Sequence, residues 1–322
     1  MPRHALGRLL RLSLAPSAIA DVTAGILFAA GWWPPGSSPW LLILGSLCVY
    51  HGGMALNDWA DRAADARLRP DRPIPAGAIP AGGAAALGFG LLLLGPCLAL
   101  LAGREPALVL TGVAVLAAFY DLVGRGPWLG PLLLALCRAG NLGAGIALGL
   151  STATFEPAGP ETPEISAMPR MMVLLGAPIA YGAYVLAVSL LGRMEDVAPG
   201  TLLGRRPARL IAVAAALLLA VPVLPQPELA SHGWAFLERH RITVAALIAA
   251  GGSFGLLRLA FRRRTWTPAL VLPAMGMALR RLLIFTAALA MARGTPHAFW
   301  AALLILGGYP ISYGLRRLFP PS

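Results

Sequence analysis

Apolar residues run along this chain in blocks of about 20, the length a helix needs to cross a bilayer, and short polar stretches separate the blocks. The blocks fall near 13–33, 39–57, 82–102, 106–121, 129–151, 171–191, 208–224 and 241–261. An apolar region at 268–293, interrupted by Pro273, Gly276 and the pair Arg280-Arg281, comes next, and a block at 296–315 closes the series. The pattern predicts an all-α, polytopic membrane bundle of nine or ten transmembrane helices. Region 268–293 decides the count, as one tilted helix or as a loop plus a short helix. No soluble domain of useful size stands between the blocks, so residues 1–322 read as one integral-membrane domain with a short basic flank at 1–12.

The polar stretches orient the bundle. Arginines gather at Arg3, Arg8 and Arg11, then at Arg62, Arg67, Arg69 and Arg72, then at Arg125, at Arg205, Arg206 and Arg209, and at Arg262, Arg263 and Arg264. Each group lies an even number of spans from the N-terminus. The intervening loop 152–170 carries Glu156, Glu161 and Glu164 against Arg170 alone. By the positive-inside rule the N-terminus faces the cytoplasm, in the cell or inner membrane. Arg316 and Arg317 near the other end favour an even number of spans, hence ten. The longest polar loops, near 58–81 and 192–207, share the cytoplasmic side.

Composition agrees. The chain is 57% hydrophobic and 12% charged, with mean hydropathy +0.72; soluble domains carry roughly 25% charged residues. The net charge of +12 would suggest nucleic acid in a soluble protein. Here topology accounts for it, and no nucleic-acid partner is expected. Cys48, Cys97 and Cys137 are scattered through apolar blocks, which argues against a disulfide framework or a zinc site. The basic stretch Pro2–Arg11 lacks a convincing cleavage site and reads as the flank of the first span.

Against this apolar background one segment stands out: Asn57-Asp58-Trp59-Ala60-Asp61-Arg62-Ala63-Ala64-Asp65. A lone acid at the end of a span ordinarily faces water. Three acids stepping by three and then four residues share one helical face, with Asn57 four before Asp61. Three like charges so placed call for a cation between them. Acids near lipid mark function, and Mg²⁺ holding a phosphorylated ligand is the economical reading. The chain continues Arg69-Pro70-Asp71-Arg72-Pro73-Ile74-Pro75-Ala76-Gly77. Its prolines end the helix and fix a turn, which keeps Arg69 and Arg72 near the acids. The arginine fork suits phosphate oxygens.

Three further features carry polar chemistry. Tyr120 and Arg125 close the fourth span, where the bland reading is an interfacial anchor and a topology marker. Arg138 and Asn141 lie about two turns inside the fifth span, three apart on one face, and need partners. An acid or a phosphate from the first loop is the natural one. Arg193, Glu195 and Asp196 end the sixth span, either as ordinary loop charges or as the opposite side of a site.

In this order the four features resemble the UbiA superfamily of intramembrane prenyltransferases, over about residues 10–315. Asn57, Asp58, Asp61 and Asp65 fit the family's N-D-x-x-D-x-x-x-D pattern, and Arg69 to Gly77 fits its R-P-x-R-P-x-P-x-G run. Tyr120 and Arg125 stand where the family has a tyrosine followed by a basic residue. Within the superfamily, Cys137–Asn141 and Gly192–Glu195 are most similar to the Ebo-type UbiA-like proteins. The family's second acidic motif, D-x-x-x-D, lacks its first acid here: Gly192 or Leu191 stands there, and Arg193 is basic where a ligand is expected.

The resemblance implies transfer of a prenyl group from a prenyl diphosphate to an aromatic or other lipophilic acceptor, on the cytoplasmic side of the lipid membrane. It implies Asp58, Asp61 and Asp65 as Mg²⁺ ligands, with Tyr120, Glu195 and Asp196 as further catalytic residues. Asn57, Arg69, Arg72, Arg125, Arg138, Asn141 and Arg193 are implied as substrate-binding. Two other readings share some features. A phosphatidyl-alcohol transferase also clusters acids on Mg²⁺, but its upstream D-G and intervening A-R are not found. A UbiA-fold carrier or transporter that has lost the reaction fits the Pro/Gly-broken spans and the altered second motif.

Overall fold

The computed structural model describes residues 4–152, 167–195, 197–198, 200–225, 235–263 and 265–319. A short helix α1 (Ala5–Leu9) and a 3₁₀ turn (Leu12–Leu14) lead into α2 (Ala15–Ala30) and α3 (Ser38–Ala60). The first polar loop contains α4 (Arg62–Leu68). Then come α5 (Ala81–Ala102), α6 (Arg104–Leu122), α7 (Leu129–Thr152), α8 (Ala167–Gly192) and α9 (Arg206–Ala220). A second 3₁₀ turn (Val221–Val223) precedes α10 (Ala235–Arg262), α11 (Pro268–Arg280), α12 (Leu282–Met291) and α13 (Pro296–Leu318). Among the described residues there is no strand, and ten spans are long and apolar enough to cross a membrane.

Local chemistry sets the boundaries. Pro16, Pro39, Pro207 and Pro296 sit in the first turns of α2, α3, α9 and α13, where a missing N–H is harmless. Gly31, at φ 75°, closes α2 and donates to Leu27 O at 2.8 Å. Region 268–293 is two helices end to end, counted as a single span. They join at Arg281, whose N–H is shared between Met277 O (3.3 Å) and Ala278 O (3.0 Å). The Arg281 side chain holds the joint, donating to Gly252 O (3.1 Å) and Tyr309 Oη (2.6 Å).

The bundle is apolar outside as well as inside. Leu93, Leu101, Leu247 and Leu304 are among the most exposed side chains, as lipid-facing residues must be. α2 and α3 are the most enclosed spans, 61% and 67% buried, against 28% for α5. Polar groups on α2 and α3 therefore face protein. One apolar cluster joins α3, α5 and α6 to α2 and α7; a larger one joins α2 and α7 to α8–α13. α2 and α7 are the shared seam. They cross without side chains between them: a Cβ on Gly25 would lie 2.2 Å from Leu142 O, and one on Gly145 2.3 Å from Val22 O. Glycine permits that approach, and it brings the next turns of the two helices, with Asp21 and Asn141, into contact.

Candidate active site

The acidic segment does not remain one helix. α3 stops at Ala60, Asp61 sits in a turn, and α4 begins at Arg62. The i→i−4 bonds continue, with Asp61 N–H to Asn57 O at 3.0 Å and Asp65 N–H to Asp61 O at 2.9 Å. The three acids nevertheless divide among three arginines, contrary to the single stacked face expected from their spacing. Asp58 and Asp65 are buried and share Arg72, whose Nη1 lies 3.4 Å from Asp58 Oδ1 and 2.6 Å from Asp65 Oδ2. Asp61, half-buried, pairs with Arg125. Arg11 adds a second bond to Asp58 Oδ1 at 3.0 Å. Among the described residues no three acids converge as a ready metal cluster, because arginines stand between the carboxylates. Asp58 Oδ2 is buried and has no hydrogen-bond partner.

The proline-rich loop does what its composition predicts. It turns back after α4, with Arg72 N–H on Arg69 O (3.1 Å) and Ala76 N–H on Arg72 O (2.9 Å), and so delivers Arg72 to the acids. Arg69 is exposed at the loop surface instead.

A second layer lies beside α6. Asn57 Nδ2 donates to Asp121 Oδ1 at 3.0 Å. Arg125 reaches Asp121 Oδ1 at 3.7 Å and Asn57 O at 3.5 Å while paired with Asp61. Its guanidinium lies 5.9 Å from the Tyr120 ring centre. Partial burial lowers the Arg125 pKa from its ordinary value.

The third layer is deeper and centres on Asp21 of α2, fully buried. Arg138 Nη2 donates to Asp21 Oδ1 (3.0 Å), Ser17 O (3.3 Å) and Tyr181 Oη (3.0 Å). Tyr181 in turn donates its hydroxyl proton to Asp21 Oδ1. Asn141 Nδ2 donates to Asp21 Oδ2 (3.1 Å) and Ala18 O (3.2 Å), and Asn141 Oδ1 accepts from Ser46 Oγ at 2.7 Å. Arg138 also lies 5.7 Å from the Tyr50 ring centre. Its anionic partner is thus a first-span acid, not an acid of the first loop.

A cavity of about 300 Å³ connects these layers. Arg11, Asn57, Tyr120, Asp121, Arg138 and Asn141 form much of its polar wall; Val49, Val113, Leu134 and Val185 form apolar wall. Ser189, Arg280 and Ser312 complete it from the second half of the chain. Arg193 is exposed and Glu195 half-buried; neither is on that wall. Asp196 lies outside the described residues. At Gly192 a Cβ would lie 2.6 Å from Met275 Sδ, so α11 packs against the position where the missing acid would stand.

Sequence reasoning passed over Asp21, Arg11, Asp121 and Tyr181. Asp21 carried a signal, as the one acid inside the first apolar block. Arg11 was indistinguishable from a topology marker. Its left-handed backbone, φ 50°, is unique among the described non-glycine residues and turns it toward Asp58.

Among the described residues, ten apolar spans and a cavity lined in part by charged side chains mark an integral membrane protein. The sequence profile of the UbiA prenyltransferase family matches residues 18–269, and the chain belongs to that family. It is 38% identical over 104 residues to digeranylgeranylglyceryl phosphate synthase of Metallosphaera sedula, covering 32% of this chain and 36% of that protein. It is 36% identical over 123 residues to the bacteriochlorophyll synthase 33 kDa chain of Cereibacter sphaeroides, covering 35% and 39%. The matches thus span less than two-fifths of these curated relatives. The fold resembles a UbiA homologue from Archaeoglobus fulgidus solved with GPP and Mg²⁺, with TM-score 0.55, 16% identity and coverage of 88% and 99%. It also resembles the apo UbiA homologue of Aeropyrum pernix K1, with TM-score 0.56, 17% identity and coverage of 87% and 97%.

Proposed function

We propose that the chain transfers a prenyl group from a prenyl diphosphate to an aromatic or other lipophilic acceptor, in an Mg²⁺-dependent reaction at the cytoplasmic face. The observation that carries this reading is the cluster of Asp58, Asp61 and Asp65 with Arg11, Arg72 and Arg125 beside a largely apolar cavity. The GPP and Mg²⁺ held by the Archaeoglobus homologue support it.

The residues fit the ion. Carboxylate oxygens are its preferred ligands, and Asp58 Oδ2 is a buried acceptor still without a donor. Asp58, Asp61 and Asp65 would hold it. When bound, Mg²⁺ neutralises diphosphate oxygens and favours departure of the leaving group.

The chain's own groups do the rest. Arg72 and Arg125 are already positioned by the acids, and the planar arginine fork suits phosphate oxygens. The allylic C–O bond breaks with its electron pair on the diphosphate. Charge building there is stabilised by pre-placed cations, which need no reorganisation. Val49, Val113, Leu134 and Val185 keep water from the allylic cation until the acceptor attacks its carbon and gives up its proton to the released diphosphate. Arg138 and Asn141, fixed by Asp21, shape the deep end. Tyr120 presents its ring on the cavity wall.

A second reading is a carrier that binds isoprenoid ligands without turnover. It draws support from Arg193 and Glu195 standing off the cavity wall and from Met275 packed against Gly192. Diphosphate release separates the two. Protein in nanodiscs, with Mg²⁺, prenyl diphosphates and a pool of aromatic acceptors, should release diphosphate, and Asp61→Asn should not. Saturable binding without release would select the carrier.

A further inference from the structure

Three arginines reach the cavity wall, Arg11, Arg138 and Arg280. Two are matched: Arg11 by Asp58 at 3.0 Å and Arg138 by Asp21 at 3.0 Å. Arg280 is not. Among the described residues its guanidinium makes no hydrogen bond, ion pair or ring contact, and its flanking wall residues, Leu279 and Leu282, are apolar.

The backbone that carries Arg280 is well tied. It is the last residue of α11, at the joint that Arg281 holds through Gly252 O and Tyr309. Just before it in the chain, Ala278 O accepts from Tyr184 Oη at 2.8 Å. The joint is fixed while the guanidinium beside it stays open to the cavity. A cation in a membrane interior without a counter-charge is costly, and such residues face a polar cavity and mark a ligand path. An arginine offers donors only, in a planar fork that matches two oxygens of a carboxylate or a phosphate.

We propose that Arg280 binds an oxyanion group, phosphate or carboxylate, of a ligand in this cavity. It does so from the α11–α12 side, away from the acid–arginine cluster of α3 and the first loop. The inference deepens the proposed function and rests on it for the two sources of the oxyanion. One is the diphosphate of the prenyl donor. The other is an acid on the acceptor, which would make the acceptor an aromatic or lipophilic acid with a fixed orientation.

The experiment is calorimetric binding to the full chain in nanodiscs with Mg²⁺, using geranyl diphosphate, 4-hydroxybenzoate and the neutral 4-hydroxybenzamide. Wild type is compared with Arg280→Gln, Arg280→Lys and the exposed control Arg262→Gln. Unchanged thermal unfolding midpoints establish that the variants fold, and Arg280→Lys keeps the charge should Arg280→Gln fail. The expected result is a loss of about tenfold or more in affinity for one oxyanion ligand in Arg280→Gln, the scale of a lost charge-assisted bond. Arg280→Lys should recover part of it, and Arg262→Gln should match wild type. Loss confined to geranyl diphosphate assigns Arg280 to the donor; loss confined to the benzoate, with the benzamide unaffected, assigns it to an acidic acceptor. Equal affinities for both oxyanions in wild type and Arg280→Gln, or no binding of either by wild type, would overturn the proposal. Arg280-dependent binding of the benzoate with none of geranyl diphosphate would keep Arg280 and remove prenyl transfer.

Discussion

A single nitrogen of Arg72, Nη1, is shared by Asp58 and Asp65, 3.4 Å from one carboxylate and 2.6 Å from the other. A protein cation thus stands between two acids that the sequence pattern suggests for a metal. Removing it leaves two buried carboxylates with a common vacancy. Breaking a buried pair costs about 3–5 kcal/mol, and a ligand at about 100 times its Kd returns about 2.7 kcal/mol. Arg72→Met should therefore unfold at lower temperature in EDTA and regain more stability than wild type on adding Mg²⁺. Parallel Mg²⁺ responses in the two proteins would count against a metal beside Asp58 and Asp65.

Asp61 and Asp58 should separate catalysis from stability. The Asp61–Arg125 pair is about one-third exposed on each side, and pairs of that kind contribute about 1 kcal/mol or less. Asp61→Asn should keep its unfolding midpoint within a few degrees and lose diphosphate release by about 100-fold or more. Asp58 is buried with two arginines on one oxygen, so Asp58→Asn should lose both. Near wild-type turnover by Asp61→Asn would remove that residue from the metal site.

The Asp21 network should be non-additive. Asp21→Asn strands the Arg138 charge and should cost about 3 kcal/mol or more, whereas Tyr181→Phe deletes a hydroxyl that donates to Asp21 and accepts from Arg138 but leaves the ion pair in place, and should cost about 1.5–3 kcal/mol. The Asp21→Asn, Arg138→Gln double variant should be less destabilised than the sum of the singles, since neither charge is then left alone. Strict additivity in reversible detergent unfolding would mean that the two are not coupled.

The glycine seam sets the deep end of the cavity. Gly145→Ala and Gly25→Ala each place a methyl into a backbone carbonyl, an overpacking worth about 1–3 kcal/mol. Spreading α2 from α7 also separates Asp21 from Asn141 and Arg138. Substrate affinity, measured by calorimetry, should therefore fall with the unfolding midpoint. Gly112→Ala, where a Cβ meets nothing within 4 Å, should leave both close to wild type.

The span pattern and the first acidic segment were legible because both are local. About 20 apolar residues and a fixed acid spacing need no knowledge of packing. The prolines also announced a loop that returns Arg72 to the acids. What the sequence did not disclose depends on contacts far apart in the chain. Asp21 and Arg138 are 117 residues apart, and the close α2–α7 packing at Gly25 and Gly145 makes them neighbours. The stacked face of Asp58, Asp61 and Asp65 assumed a continuous helix. Arg125, arriving from the loop after α6, draws Asp61 to itself. At 268–293 the pattern shows an apolar stretch with a charge in it. That one arginine of the pair holds the joint and the other lines the cavity is a property of the packed bundle.

The depth of Asp21 bears on how the chain is made. Its cation is synthesised 117 residues later, after three more spans have formed. The first span must therefore enter the bilayer carrying an acid with no counter-charge, at a cost of about 2.5–3.5 kcal/mol for an aspartate near a helix centre. The apolar residues around it in α2 must together outweigh that cost. Substitutions that trim the hydrophobicity of this helix should lower the yield of inserted protein before they touch the finished fold. For this chain, biogenesis is the step at which the Asp21 network at the deep end of the cavity is most exposed to failure.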